Sequence, residues 1–214
     1  MPAGSEMSTP LNAMMNLTES FTISLPCGWK QQLPDHLLLT DEEKMLFVID
    51  LARWNVQAHG GGPFAAAVFE QNTGQLISIG VNRVVSGLCS LAHAEAVALA
   101  LAQQTAQQYD LSSKRERSFE LVTSGQPCIQ CFGMVWWSGV RRLVIAARST
   151  DIERLAGFDE GPIPSDWAES LSSRSPLPPV EVLMDVCREQ ACEVLTEYAV
   201  SGQPNYSPGR SQAN

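Results

Sequence analysis

Two short segments carry residue types that could form a metal centre. His93 opens an apolar stretch, and Cys128 and Cys131 have the i, i+3 spacing that places two side chains next to each other on one helical turn. One imidazole and two thiolates suit zinc better than magnesium or calcium, which prefer oxygen ligands. Three protein ligands are typical of a catalytic zinc, which keeps a position open for water, whereas structural sites close with four. The sequence therefore predicts a catalytic zinc held by His93, Cys128 and Cys131.

A carboxylate lies beside the predicted metal. Glu95 follows His93 by two residues, so it would face the open position without binding the ion. A carboxylate there can take a proton from water and pass it to a leaving group, and we expect Glu95 to be the catalytic base. Plainer interpretations exist, since an acid at a helix start also complements the helix dipole. A CxxC pair can serve redox chemistry, but that explains neither His93 nor Glu95.

Helices and strands must bring these two segments together. Thr40 and Glu43 form a capping pattern that predicts a helix ending at the glycines 60–62. Four residues of this helix are expected on one face: Leu46, Ile49, Arg53 and Val56. The patterns after it predict strands at 65–70 and 75–81 joined by a turn, a helix at 91–109, a strand at 119–123, a helix at 128–138, a strand at 142–147, a proline- and serine-rich loop at 162–179 and a helix at 185–200.

Strands interleaved with helices indicate an α/β fold, a three-layer α/β/α sandwich around a mixed sheet. The first two strands are expected to pair antiparallel, and the later strand-helix-strand passage to pair parallel. Both chemical segments start a helix just after extended chain, so both should reach the same edge of the sheet. That edge is where α/β folds place their sites.

Composition limits the classes of protein that this chain can belong to. Its 214 residues fit one domain, and 44% hydrophobic residues can form a sizeable core. The net charge of −9 disfavours a nucleic-acid substrate, because binding a polyanion normally requires clustered Lys and Arg. No stretch approaches the roughly 18 apolar residues of a membrane span, and no secretory signal is readable, so a cytoplasmic location is expected. Six cysteines in such a chain are interpreted as core residues or ligands and not as a disulfide framework.

The HxE and PCxxC segments together resemble those of the cytidine and deoxycytidylate deaminase superfamily of zinc hydrolases. The resemblance covers roughly residues 40–200, leaving 1–39 as an irregular N-terminal arm and 201–214 as a C-terminal tail. The segments at 62–64 and 158–162, together with Asn82, are similar to the bacterial guanine deaminase branch, which includes enzymes acting on ammeline. The resemblance implies hydrolysis of guanine to xanthine and ammonia.

The resemblance also implies residue roles. Zinc-bound hydroxide, formed with Glu95 as base, would attack the ring carbon that bears the exocyclic amine. Glu160 would be a second acid near the leaving amine, with Asp159 as the weaker candidate. Four residues would contact or cover the base: Phe64 by stacking, Asn82 through its amide, Ala94 through its backbone N–H, and Tyr206 as a lid from the C-terminal tail.

The run Asn82-Arg83-Val84 lacks the acidic residue with which cytidine deaminases hold a ribose, which favours a free nucleobase as substrate. Alternative substrates are adenosine in tRNA, cytosine and ammeline. The negative charge argues against tRNA. A zinc-stabilised scaffold without activity is a further alternative, against which the intact Glu95 argues. The apolar helix surfaces predict a homodimer.

Overall fold

Residues 18–114 and 116–207 are described by the computed structural model of the chain. The elements are a 3-10 helix Trp29–Gln32, α1 Asp41–His59, β1 Ala65–Glu70, β2 Leu76–Val81, α2 Ala94–Ala106, β3 Phe119–Gly125, α3 Ile129–Ser138, β4 Arg142–Ala147, α4 Ser149–Ala156, α5 Trp167–Ser172, β5 Glu181–Leu183 and α6 Arg188–Val200. Among these helices, none combines the length and the apolarity that a bilayer crossing requires.

The five strands form one sheet in the order β2-β1-β3-β4-β5. β1 pairs antiparallel with β2 and with β3, whereas β3, β4 and β5 are parallel. The predicted mixed sheet is therefore confirmed. Because β2, β3 and β4 run in the same direction, the chain leaves all three at one edge of the sheet. The segment that leads to α2 and the starts of α3 and α4 meet at this edge.

The central strands are buried on both faces, which explains their nearly continuous apolar sequence. In β1, Ala65, Ala67 and Phe69 pack in one core cluster with residues of α1 and α6. The alternate residues Ala66 and Val68 pack in a second cluster with residues of α2, α3 and α5. Helices thus cover both faces, and the predicted three-layer α/β/α sandwich is confirmed.

The start and end of α1 follow the predicted signals. The Thr40 hydroxyl accepts a hydrogen bond from the Glu43 N–H, and the Glu43 carboxylate accepts one from the Thr40 N–H. Gly60 ends the helix at φ 59°, a left-handed conformation that favours glycine. The predicted face was wrong in part, since Leu46 is 37% exposed and Arg53 is half-buried. The apolar residues that α1 buries are Met45, Val48, Ile49, Leu51, Ala52 and Val56.

Several predicted bounds were also wrong. α2 is shorter than 91–109, because His93 has extended backbone and Gln107 turns left-handed at φ 55°. α6 starts three residues later than predicted, since Asp185 and Cys187 have positive φ and cannot continue a helix. The predicted loop 162–179 contains the short helix α5. The elements α4 and β5 were not predicted.

A close backbone contact sets the position of α2. A Cβ on Gly80 of β2 would lie 2.1 Å from the Ala94 carbonyl oxygen and 2.5 Å from the Ala98 nitrogen. Only glycine lets the helix approach the strand so closely. The Ser78 hydroxyl donates to the Ala98 carbonyl at 2.7 Å. These contacts fix the N-terminus of α2, and with it His93, at the edge of the sheet.

Buried charges hold α1 against the opposite edge of the sheet. Lys44 of α1 lies 2.6 Å from the Glu120 carboxylate of β3, and both side chains are nearly inaccessible to solvent. Arg142 of β4 donates to Glu120 at 2.8 Å and makes a two-bond ion pair with Asp41. Each buried charge has an opposite charge within hydrogen-bond distance, which offsets the cost of removing it from water.

We expect Glu120→Ala to lower the free energy of unfolding by about 3–5 kcal/mol, because it leaves the Lys44 ammonium buried without its partner. Urea denaturation measures this change. The double variant Lys44→Met, Glu120→Leu should recover much of the loss, since it removes the charges of both side chains while Arg142 keeps its ion pair with Asp41. A double variant no more stable than Glu120→Ala would contradict this account.

Candidate active site

The three predicted ligands come together at the edge of the sheet where α2 and α3 begin. His93 Nδ1 lies 3.4 Å from Cys128 Sγ and 3.5 Å from Cys131 Sγ. The three ligand atoms lie within 4.8 Å of one another. Tetrahedral zinc with ordinary bond lengths requires nitrogen and sulfur ligands about 3.6 Å apart. The residues therefore fit a zinc ion bound through His93 Nδ1 and the two sulfurs.

Two helix starts provide this cluster. His93 is the N-cap of α2, and Cys128 is the N-cap of α3 with extended backbone. Cys131 follows on the first turn of α3 and is fully buried. The first N–H groups of a helix have no intrahelical acceptor and form the positive end of the helix dipole. Both helices thus favour negative thiolates at this point.

The pKa values of the two thiols are shifted in opposite directions. A hydrogen bond from Cys131, with help from His93, lowers the pKa of Cys128 to about 4. The same hydrogen bond, together with burial, raises the pKa of Cys131. Burial alone would lower the pKa of His93, but the hydrogen bond and charge of Cys128 raise it. A metal cation can replace these protons, because thiolate and neutral imidazole are the ligand forms.

Glu95 lies directly beside the cluster. One carboxylate oxygen is 3.3 Å from Cys131 Sγ, and the other is 3.4 Å from the Thr123 hydroxyl of β3. The side chain is buried, and burial followed by the charge of Cys128 raises the pKa of its carboxyl. Glu95 is therefore held within reach of the metal position, and a cation bound there would counter the effect of burial and favour its carboxylate form.

A cavity of about 410 Å³ opens next to the cluster. All but one of the predicted site residues lie on its wall, namely Phe64, Asn82, His93, Ala94, Glu95, Cys128, Glu160 and Tyr206. Cys131 lies beneath the wall, against the other two ligands. The structure therefore brings together residues that the sequence separates by more than a hundred positions.

Glu160 enters the cavity from the loop after α4. Its carbonyl accepts the Ile129 N–H at 3.0 Å, which ties this loop to the first turn of α3. Burial, followed by the charges of Cys128 and Glu95, raises the pKa of Glu160 to about 8. The neighbouring Asp159 is exposed and accepts the Gly161 N–H of its own turn. Of these two acids, only Glu160 is buried at the cavity.

The rest of the cavity wall is aromatic and polar. Phe64 precedes β1 and contacts Phe158 edge to face, with ring centroids 5.1 Å apart. Asn82 follows β2, and its side-chain oxygen accepts the Val84 N–H at 3.3 Å. With this oxygen engaged, the side-chain NH₂ of Asn82 remains available to a molecule in the cavity. Ala94 contributes the first residue of α2.

The C-terminal tail lies against the cavity of its own chain up to residue 207. The Tyr198 hydroxyl of α6 donates to the Pro204 carbonyl at 2.7 Å, and the Asn205 side chain donates to the Ala156 carbonyl at 2.8 Å. Tyr206 is 43% exposed and lines the cavity. Residues 208–214 of the predicted C-terminal tail and residues 1–17 of the predicted N-terminal arm lie outside the described residues.

Comparison with known proteins agrees with this geometry. Residues 39–147 match the family model of the cytidine and deoxycytidylate deaminase zinc-binding region. The chain is 34% identical over 112 residues to the guanine deaminase of Bacillus subtilis. The matched region is 52% of this chain and 67% of that protein. The chain belongs to the cytidine and deoxycytidylate deaminase family.

Solved structures place it within that family. The structure of the guanine deaminase from Nitrosomonas europaea is 46% identical, with a TM-score of 0.79 over 86% of this chain and 98% of that one. A mutant protein solved in complex with 8-azaguanine is 47% identical, with a TM-score of 0.78 over 85% of this chain and 98% of that one. This deaminase lies on the guanine deaminase branch and is a zinc-dependent aminohydrolase.

Sequence reasoning missed several residues of the deaminase site. Thr123 contacts Glu95, Gln126 lines the cavity, and Phe158 and Tyr198 extend the aromatic wall. Gln126 carried a signal, since it directly precedes the Pro127-Cys128 segment. Its side-chain oxygen accepts the Ser149 N–H at the start of α4. Phe158 lies in the segment 158–162 that carries the family resemblance, although no role was predicted for it. Thr123 and Tyr198 have the pattern of ordinary strand and helix residues.

We expect Cys128→Ser and Cys131→Ser each to lose most of the bound zinc, because an alcohol is a far weaker ligand than a thiolate. Elemental analysis of the purified deaminase measures the zinc content. Cys187→Ser and Cys192→Ser are matched controls that alter cysteines of the α6 region and should keep a full complement. A Cys131→Ser variant with undiminished zinc would contradict the ligand assignment.

Proposed function

We propose that this deaminase hydrolyses guanine to xanthine and ammonia. The observation that carries the proposal is the convergence of the zinc-ligand cluster, two buried carboxyl groups and the amide of Asn82 on one cavity. Guanine deaminases from two bacteria are similar to the chain, and a similar mutant protein was solved in complex with 8-azaguanine, a close analogue of guanine. A cavity of about 410 Å³ has room for a bicyclic base.

The reaction forms one carbon–oxygen bond and breaks one carbon–nitrogen bond at the carbon that bears the exocyclic amine. Zinc held by His93, Cys128 and Cys131 would supply an acidified water at neutral pH. Glu95 lies beside the cluster, and a cation bound there would favour its carboxylate form, so its Oε2 can accept a proton from water. The amine leaves as ammonia after it gains a proton, so the overall reaction is guanine plus water to xanthine plus ammonia.

Glu160 supplies a second proton position. Its raised pKa means that it holds a proton near neutral pH, so it can donate to the departing amine. Glu95, by contrast, contacts Cys131 and so lies on the metal side. Two carboxyl groups in different positions divide the work, one accepting a proton from water and the other protonating nitrogen.

Recognition of the base falls to the rest of the cavity wall. Asn82 offers its NH₂ to a ring acceptor, and Phe64 offers an aromatic face. The N–H of Ala94, the first of α2, has no intrahelical acceptor and can bind a further ring atom. Tyr206 lines the same cavity from the tail, where it would close over the bound base. A base that leaves one of these polar groups unpaired loses binding free energy, which is the source of selectivity.

We also infer that the deaminase is a cytoplasmic homodimer that does not act on nucleic acid. Four large apolar residues on α3 or in the segment between β2 and α2 are exposed and support self-association: Leu88, Leu91, Ile129 and Trp137. The net charge of −9 supports a small-molecule substrate.

A panel of substrates tests the proposed function. Purified deaminase is assayed for ammonia release from guanine, ammeline, cytosine, cytidine, adenosine and tRNA, and guanine should give the highest kcat/KM. Glu95→Gln should keep its zinc and lose turnover by at least about 10²–10⁴-fold, the usual contribution of a general base. Release of ammonia from cytidine or tRNA but not from guanine would refute the assignment.

Glu160→Gln should lower kcat by about 10²-fold with a smaller change in KM, because it removes a proton donor and keeps the shape of the side chain. In the wild type, kcat should fall as the pH rises through the pKa of Glu160, since only the acid form donates. That decline should lie at or below about pH 8, because a bound cation favours the carboxylate. The variant should lose the alkaline decline, and an unchanged pH profile would remove Glu160 from the mechanism.

A further inference from the structure

An amide is completely buried in the helix α1, behind the wall of the cavity. Asn55 has no solvent exposure, and its side-chain NH₂ donates to two carbonyl oxygens, those of Gly62 and Asn82, each at 3.0 Å. Gly62 belongs to the segment that leads into β1, and Asn82 follows β2. Both acceptors line the cavity, whereas Asn55 does not. One side chain thus joins two segments of the wall from behind.

The amide of Asn55 has a cost as well as two hydrogen bonds. The side-chain oxygen of Asn55 is buried without a hydrogen-bond partner among the described residues. Such an atom costs about 1–3 kcal/mol. An apolar side chain of similar shape would avoid that cost but would leave the Gly62 and Asn82 carbonyls without this donor. Turning the amide over would not help, because the oxygen would then face two carbonyl oxygens. The two hydrogen bonds to the wall are what the amide provides.

These bonds complete the fixation of Asn82. Its N–H donates to the Phe64 carbonyl at 3.0 Å, its carbonyl accepts from Asn55, and its side-chain oxygen accepts the Val84 N–H. A Cβ on Gly62 would lie 2.9 Å from Cγ of Asn82, so this glycine packs directly on the amide. The backbone and one end of the side chain are therefore held, and the NH₂ group of Asn82 has no hydrogen-bond partner among the described residues.

Gly61 reinforces the arrangement from the other side. A Cβ on Gly61 would lie 2.2 Å from the NH₂ nitrogen of Asn55. No side chain longer than glycine fits without displacing the amide. The glycine segment that ends α1 therefore does more than stop the helix, because two of its members lie against the amides of Asn55 and Asn82.

We propose that Asn55 is a positioning residue for substrate recognition, which holds the Gly62 and Asn82 carbonyls so that the Asn82 NH₂ points at a ring acceptor of the base. Asn55 itself touches no substrate and acts through Asn82. The proposal rests on the proposed function for the identity of the base, but not for the coupling between the two residues.

A double-mutant cycle tests the proposal on the zinc-loaded protein. The variants are Asn55→Leu, Asn82→Ala and the two combined, and kcat and KM are measured on the base of the panel that the wild type prefers. Asn55→Leu should raise KM about tenfold and change kcat less, a loss of about 1.4 kcal/mol in binding. The combined variant should be no worse than Asn82→Ala alone, because Asn55 has nothing left to position.

Equilibrium binding supplies a readout without turnover. Calorimetric titration of 8-azaguanine into the same variants, built on Glu95→Gln so that the probe is not consumed, should show the same non-additive loss of affinity. If guanine is not deaminated, the panel shows this separately, and the cycle on the preferred base still measures the coupling. The two experiments therefore distinguish a lack of coupling between Asn55 and Asn82 from a wrong assignment of guanine as the substrate.

Two further variants guard against a trivial loss of structure. Val48→Ala opens a cavity in the same helix at a fully buried residue outside the cavity wall, and should leave KM unchanged. Gly61→Ala displaces the Asn55 amide without altering it, and should raise KM as Asn55→Leu does. Losses that simply add in the combined variant would overturn the proposal. So would a KM and an affinity for Asn55→Leu that match those of Val48→Ala.

Discussion

The site depends on the meeting of two helix N-termini at one edge of the sheet. His93 caps α2 and Cys128 caps α3, and their ligand atoms lie 3.4 Å apart. A shift of one residue in either helix would turn the corresponding side chain by about 100° around the helix axis and separate the ligands. The strand directions allow this meeting, because β2 and β3 are both antiparallel to β1 and so end at the same edge of the sheet. Gly80 then sets the depth of α2 against the sheet.

Stability and chemistry use opposite edges of this sheet. At the edge where β3 and β4 begin, the buried charges of Lys44, Glu120 and Arg142 are paired with one another. At the other edge, burial and neighbouring negative groups raise the pKa of both Glu95 and Glu160. Paired charges hold the layers together, whereas acids placed in an apolar, negative environment can exchange protons. The strand β3 therefore begins at the ion pair of Glu120 and ends beside Glu95, which its Thr123 contacts.

The sequence predicted the parts of the structure whose signals are local. The capping box of α1, the strands β1 to β4 and the ligand segments at His93 and Cys128 follow from short patterns, and the structure confirms their arrangement. Element ends were harder, because residues such as Asp185 and Cys187 adopt positive φ without being glycine. The strand β5 has three residues, too few for any periodicity, and it exists only because it pairs with β4.

Some site residues could be predicted from the sequence, and others are recognisable only from their contacts in the structure. The resemblance brought Glu160 and Asn82 into the predicted site, although neither has a motif of its own. Thr123 and Asn55 were not predicted, since a buried threonine in a strand and an amide in a helix are recognisable only from what they contact. The partners of Asn55 are backbone carbonyls, and a carbonyl has no signature in the sequence. Such residues become visible once the register of the sheet is known.

The cavity thus has two parts that are constructed differently. The chemical part is held by side chains in a fixed spacing, so a change to His93 or Cys131 removes the ligand itself. The recognition part is held by backbone carbonyls, glycine contacts and the edge-to-face pair of Phe64 and Phe158. Small displacements there change which polar groups meet the base without disturbing the metal ligands. A fold arranged in this way can keep one hydrolytic reaction while its choice of base varies, which agrees with the range of substrates that its superfamily accepts.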